Sequence, residues 1–343
     1  MTRLGFRFCR PHRLCLPRGA GRTRRGQPAS RRSACPFRSA TARWRFRFLL
    51  GFVAASVALR PALAQVSLGR AEPELSSGKA TAVERAVDKG EFNLFNPTPR
   101  EYLRDLSADR PDTTESPITV DAGRFQIEAS FFDYGRNDAG EVREEVFTAG
   151  ALNLKAGLLH NVDLQFVFDS YTVVRMQDKR SGQMTTVEGF SDPQLRLKIN
   201  LWGNDGGRTA LAFFPLIKIP TGSALSNDRV EGGIILPFSV DLHDRLSLGL
   251  MFESDFVYDE ASRRYQSEFV HTAVLGMSVT EKIGAFAEYV GVAGSNGFAY
   301  EASLSAGLTY GLSADAQLDI GGRVGLNEPA ENGGVFTGIT MRF

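Results

Sequence analysis

Gln194-Leu195-Arg196-Leu197-Lys198-Ile199-Asn200-Leu201 decides the fold: four polar residues alternate without a break with four aliphatic ones. In an extended strand successive side chains point to opposite faces, so this octapeptide has one wholly polar and one wholly apolar surface. The polar face is built from long and charged side chains. That suits a wet channel interior better than the Thr- and Ser-rich exterior of a soluble sandwich. The same alternation recurs in Asp163-Leu164-Gln165-Phe166-Val167-Phe168-Asp169 and in Gln317-Leu318-Asp319-Ile320. It recurs again over 247–253, where Met251 falls on the polar side.

Twelve such segments can be marked, at 123–134, 146–158, 162–174, 192–202, 209–220, 230–241, 246–258, 265–279, 283–292, 299–310, 315–325 and 335–343. Most have the length of a tilted membrane strand, roughly nine to eleven residues. Their connections alternate. Short ones fall at 159–161, 203–208, 243–245, 280–282 and 311–314, and longer ones at 135–145, 175–191, 221–229, 259–264, 293–298 and 326–334. With a periplasmic N-terminus every short turn faces the periplasm and every long loop faces outward, the sidedness of outer-membrane barrels. The sequence therefore predicts an all-β, antiparallel transmembrane β-barrel of about twelve strands. A soluble sandwich or lipocalin-like barrel shares the period but gives no reason for the alternation of loop lengths.

Charge divides the chain before the strands begin. Residues 1–64 hold 15 Arg and no Lys, Asp or Glu. Removing those 15 from the 40 Lys and Arg leaves 25 against 39 Asp and Glu, so the remainder is strongly acidic. An acidic body argues against nucleic acid as a partner, because phosphate binding needs a clustered basic surface. Arg43, Arg45 and Arg47 flank an apolar run over 48–59, which is followed by Ala62-Leu63-Ala64. This order predicts an export signal cleaved before Gln65. The stretch 1–42 is long for such a signal and reads either as an extension or as a start codon placed too far upstream. Cys9, Cys15 and Cys35 all lie in the leader, so the mature chain has no disulfide framework and no thiolate chemistry.

Residues 65–121 are polar and broken by Pro97, Pro99, Pro111 and Pro117. They predict short helices over 81–89 and 100–106 inside an otherwise irregular lead-in to the periplasm or the lumen. The barrel itself is assigned to 122–343. At the far end Val335, Thr337, Ile339, Met341 and Phe343 share one face. An alternating strand that stops on Phe343 resembles the signal read by the barrel-assembly machinery, where an extended peptide adds to an exposed sheet edge.

Candidate site residues fall into two groups. Asp109, Arg110, Asp112 and Glu115 precede the first strand. They read either as a latch, with Arg110 paired to a carboxylate inside the barrel, or as a turn in which side chains bond backbone amides beside Pro111. Alternation places Glu128, Arg196, Lys198, Glu253, Glu288, Asp319, Arg323 and Arg342 on the lumen face. Charged lumen rings select permeants in some channels and neutralise one another in others. No metal site or cofactor is expected. Catalysis is not expected either. Of the three histidines after the leader, His160 and His243 fall in short turns, and His271 has no Gly-x-Ser-x-Gly elbow to serve.

One stretch carries a resemblance. Leu106-Ser107-Ala108-Asp109-Arg110-Pro111-Asp112-Thr113-Thr114-Glu115-Ser116-Pro117 is similar to the opening motif of the outer-membrane family labelled "MetA-pathway of phenol degradation". Gly189-Phe190-Ser191-Asp192, Ile219-Pro220-Thr221-Gly222, Phe286-Ala287-Glu288-Tyr289 and Arg342-Phe343 continue it in order. Pro193, directly after Gly189-Phe190-Ser191-Asp192, departs from the pattern. The resemblance implies a barrel in outer-membrane lipid and a transport role for apolar or aromatic small molecules. The alternatives it leaves are a non-conducting structural or adhesion barrel and an outer-membrane lipase.

Overall fold

The computed structural model describes residues 88–343 apart from 139, 261 and 296–298. The basic leader, the cleavage signature and most of the helix expected over 81–89 lie outside the described residues. The described chain forms one antiparallel sheet of thirteen strands. They are β1 (Phe125–Asn137), β2 (Val142–Leu159), β3 (Val162–Asp178), β4 (Met184–Gly189), β5 (Gln194–Trp202), β6 (Thr209–Lys218) and β7 (Glu231–His243), followed by β8 (Leu246–Asp259), β9 (Arg264–Ser278), β10 (Ile283–Gly294), β11 (Glu301–Ser313), β12 (Ala316–Gly325) and β13 (Gly333–Arg342). β1 pairs with both β2 and β13, which closes the sheet into a barrel. Closure removes the exposed edges that would otherwise be unsatisfied in lipid.

The barrel has twelve walls because β4 and β5 are one strand interrupted. Thr172 pairs with Gly189 and Val167 with Gln194, so both pieces keep the same register on β3. The break is Phe190-Ser191-Asp192-Pro193. Pro193 cannot donate to a ladder, and Asp192 turns away to accept the Thr221 amide at 2.8 Å and the Thr221 hydroxyl at 2.7 Å. The motifs at 189–192 and 219–222 thus meet at the outer rim. β4 corrects the expectation of a loop over 175–191. Its side chains are mostly exposed on both faces, and its sequence lacks the alternation that marks the walls.

The barrel is apolar outside, and its lumen is largely polar apart from one apolar cluster on β6 to β10. Ile320, Val324, Leu308 and Phe256 are more than half exposed, whereas Lys198, Asp163, Gln165 and Glu288 are buried. A soluble core has the opposite arrangement. No helix among the described residues is long and apolar enough to cross a membrane, and the crossing is made by strands. Aromatic residues stand near strand ends, with Trp202 and Tyr310 at the periplasmic end and Tyr258 at the outer end. That placement is expected of interfacial girdles.

The lead-in contains two single 3-10 turns, Lys89–Glu91 and Arg100–Tyr102, and no longer helix among its described residues. The helix expected over 100–106 therefore stops after one turn. The reason is tertiary: the Arg104 amide donates to Asp121 at 3.0 Å, and the Arg104 guanidinium donates to Asp205 in the β5–β6 turn at 2.8 Å. These contacts hold the chain extended as it enters the barrel.

Candidate functional site

Residues 104–122 form a plug inside the lumen. The segment enters at the periplasmic mouth, folds back on itself between Asp109 and Ser116, and leaves beside β2 to begin β1. Its own turn is closed by the Ser116 amide, which donates to Asp109 Oδ1 at 2.9 Å, and by the Ser107–Ser116 hydroxyl pair at 2.7 Å.

Four charged contacts fix this turn to the wall. Arg110 donates to both carboxylate oxygens of Asp319 on β12, at 2.9 and 2.6 Å, and to Ser130 Oγ on β1 at 2.6 Å. Asp109 receives Lys155 from β2 and Lys198 from β5, the latter at 2.8 Å. Glu115 accepts from Arg196 on β5 at 2.7 Å. Glu288 on β10 takes the tip: it accepts the Thr113 amide at 3.0 Å and the Thr114 amide and hydroxyl at 2.8 Å, while Ser305 steadies its second oxygen at 2.8 Å. Two-oxygen pairing with a guanidinium fixes orientation as well as distance. The latch contacts and the turn contacts coexist, since Asp109 serves both.

The buried carboxyls of the plug differ sharply in proton affinity. Burial alone would raise Asp109, but the Lys155 and Lys198 ammoniums outweigh it and hold its pKa well below the usual carboxylate range. Burial, reinforced by the negative charge of Asp109 and only partly opposed by Arg196, pushes Glu115 up to about 7. Asp112 is also raised, by burial and then by the charge of Glu288.

The remaining expected residues are spread along the lumen. Glu128 accepts the Asp109 amide at 3.0 Å and pairs with Lys155, so it belongs to the latch. Asp112 lines the cavity on the periplasmic side of the plug. Glu253 stands further up β8 than the plug contact at Met251, with its carboxyl against Asp255. Arg323 is held near the outer end by Asp133 at 2.6 Å and by Glu331. Arg342 sits at the periplasmic mouth, donating to Asp315 at 2.9 Å and to the Arg104 carbonyl at 2.6 Å. Phe343 closes the seam, its amide donating to the Phe125 carbonyl at 2.8 Å. Sequence reasoning left out Lys155, Asp163 and Gln165, although all three occupy polar positions of alternating strands. It also left out Thr272, whose hydroxyl meets that of Thr114 at 2.6 Å. A threonine on a strand carries no signal of its own.

The plug separates two cavities. One of about 290 Å³ lies above it, between the upper strands. The other, about 960 Å³, opens below it among Ser247, Gly249, Gly276, Gly284 and Thr309 near the periplasmic ends. Arg110, Pro111 and Glu115 line both. His271 belongs to neither: it faces outward and hydrogen-bonds Tyr300 Oη at 3.0 Å.

The fold is similar to that of the NanC porin, at 10% identity over 63% of this chain and 98% of that chain, with a TM-score of 0.41. It is also similar to the transport unit of the autotransporter AIDA-I from Escherichia coli, at 7% identity over 64% and 89%, TM-score 0.43. The anion-selective porin from Comamonas acidovorans is a third, at 8% identity over 64% and 98%, TM-score 0.32. No curated protein matches the sequence. The family described as "Putative MetA-pathway of phenol degradation" matches residues 108–343, from the plug to the terminal phenylalanine, and this outer-membrane barrel belongs to that family.

Proposed function

We propose that the protein is a gated outer-membrane channel for small solutes, apolar or aromatic ones included, and that the plug tip is its gate. The supporting observation is the single layer between the two cavities, where Thr113 and Thr114 are bound to Glu288. Small barrels are commonly filled by side chains of the wall, and here a separate segment of the chain supplies the filling. A solute would pass when the tip leaves Glu288, along the β7–β11 side of the lumen that the plug leaves roomy. Cargo enters without a cofactor and without chemical change: His271, on the outward face with Tyr300, is not a catalytic base in this reading. Export through a signal cleaved at Ala64 and strand addition at Phe343 by the assembly machinery complete it.

Single-channel recording in planar bilayers tests the proposal. The wild-type chain should conduct in brief openings, and Glu288→Ala should raise the open fraction by removing three hydrogen bonds from the tip. Silent bilayers for both proteins, each shown folded by heat-modifiable migration, would favour the non-conducting structural barrel instead.

A further inference from the structure

The cavity above the plug has two kinds of wall. On β6 to β10, Phe214, Ile235, Met251, Val270, Val290 and Val292 pack as one buried apolar cluster. Val290 and Val292 carry that cluster onto the cavity surface, and Phe336 on β13 and Val167 on β3 add separate apolar patches to the lining. The rest of the lining is acidic: nine carboxylates stand against two guanidiniums, Arg110 and Arg323, with no lysine. Arg110 is matched by Asp319, and Arg323 by Asp133 and Glu331. Behind the wall Lys155, Lys198 and Arg196 hold Asp109, Glu128 and Glu115. Even with these three cations counted, carboxylates remain in excess.

Glu115 points independently to a ligand. It lines the cavity but is only 6% exposed; its Oε1 takes Arg196, and its Oε2 is buried with no hydrogen-bond partner. A buried acceptor left without a donor is costly, so a donor brought to this part of the cavity lining would be favoured there. The volume, about 290 Å³, matches one small organic molecule at the lower end of ligand pockets.

Resting on the channel reading above, we propose that this cavity is a selectivity site for a small organic cation with an apolar body, such as an arylalkylamine. Its ammonium group faces Glu115, Asp169 and Glu301, and its ring lies against Val290, Val292 and Phe336. A low-dielectric recess lined by one sign of charge concentrates the opposite sign. The apolar wall distinguishes such a solute from a bare metal ion.

Proteoliposome uptake of three probes of nearly equal size, phenethylamine, 2-phenylethanol and phenylacetate, tests this. The expected order is amine, alcohol, acid, with about a tenfold advantage of amine over acid. The double variant Asp169→Asn/Glu301→Gln, with heat-modifiable migration retained, should collapse that ratio towards unity. Equal uptake of the three, or a preference for phenylacetate, would overturn the proposal and leave the channel reading standing. Preference for potassium over chloride in reversal potentials, without discrimination between phenethylamine and 2-phenylethanol, would overturn the organic-cation assignment. Entry of none of the probes, in the wild type and in Glu288→Ala alike, would remove the channel reading and this proposal together.

Discussion

Arg110 and Asp319 show how much of the plug's anchorage rests on single side chains. Both are at most 5% exposed, and Arg110 donates two hydrogen bonds to Asp319. Removing one member strands the other charge, a loss of about 3–5 kcal/mol for a buried pair. Arg110→Met and Asp319→Asn should therefore each release the plug, read as faster trypsin cleavage before Phe125. Arg110→Met/Asp319→Leu should restore part of the protection, because an apolar pair leaves no orphaned charge. The pairing of Arg110 with a lumen carboxylate was legible in the sequence as one of two readings, because a lone arginine in a Pro-rich turn needs a counter-charge. Which carboxylate answers it was not legible. Asp319 lies on the eleventh of the twelve walls, 209 residues away in sequence, and alternation fixes only which face a residue occupies, never which plug atom lies opposite.

At the level of elements, the walls were written plainly. Lipid on one side and water on the other force period two, so the expected spans overlap every strand from β1 to β3 and from β5 to β13. β4 and the true extent of β3 were hidden because they rise above the lipid, where nothing enforces alternation. A latch at the periplasmic mouth was one reading of 109–115, but the path of the plug was hidden for a related reason: its conformation comes from contacts with the wall and not from its own sequence period. One of those contacts is a close approach at Gly157 on β2. A Cβ there would stand 2.0 Å from the Asp121 carbonyl oxygen and 2.6 Å from its carbon. The obstruction belongs to the plug exit and not to a neighbouring strand. Gly157→Val should thus leave the barrel folded, with heat-modifiable migration intact, while displacing 119–122 and raising the conductance above that of the wild type. Loss of the folded form, or unchanged conductance with unchanged protease protection, would show that the exit does not depend on this gap.

For the molecule as a whole, plug docking is a proton-linked equilibrium between two positions of one segment in a fixed barrel. Asp109 favours docking as an anion. Its depressed pKa gives stability that is present above the ordinary carboxylate range and is lost only as pH falls far below it. Glu115 acts with the opposite sign. Docked, its pKa is about 7; released into water it returns towards 4.5. Stability from a raised pKa is fully present below the released value and is lost as pH rises through the docked value. Asp112, raised by burial and by Glu288, adds in the same direction. Between pH 4.5 and 7 the docked plug therefore holds more protons than the released one, and acidification should close the channel. Each proton taken up changes the docking constant by at most about tenfold per pH unit. Conductance measured from about pH 7.5 down to about 5 should fall on this slope, and Glu115→Gln should flatten it without abolishing it, because Asp112 remains. A conductance that rises on acidification through this window would mean that the charged form of Glu115, held by Arg196, is what keeps the plug in place.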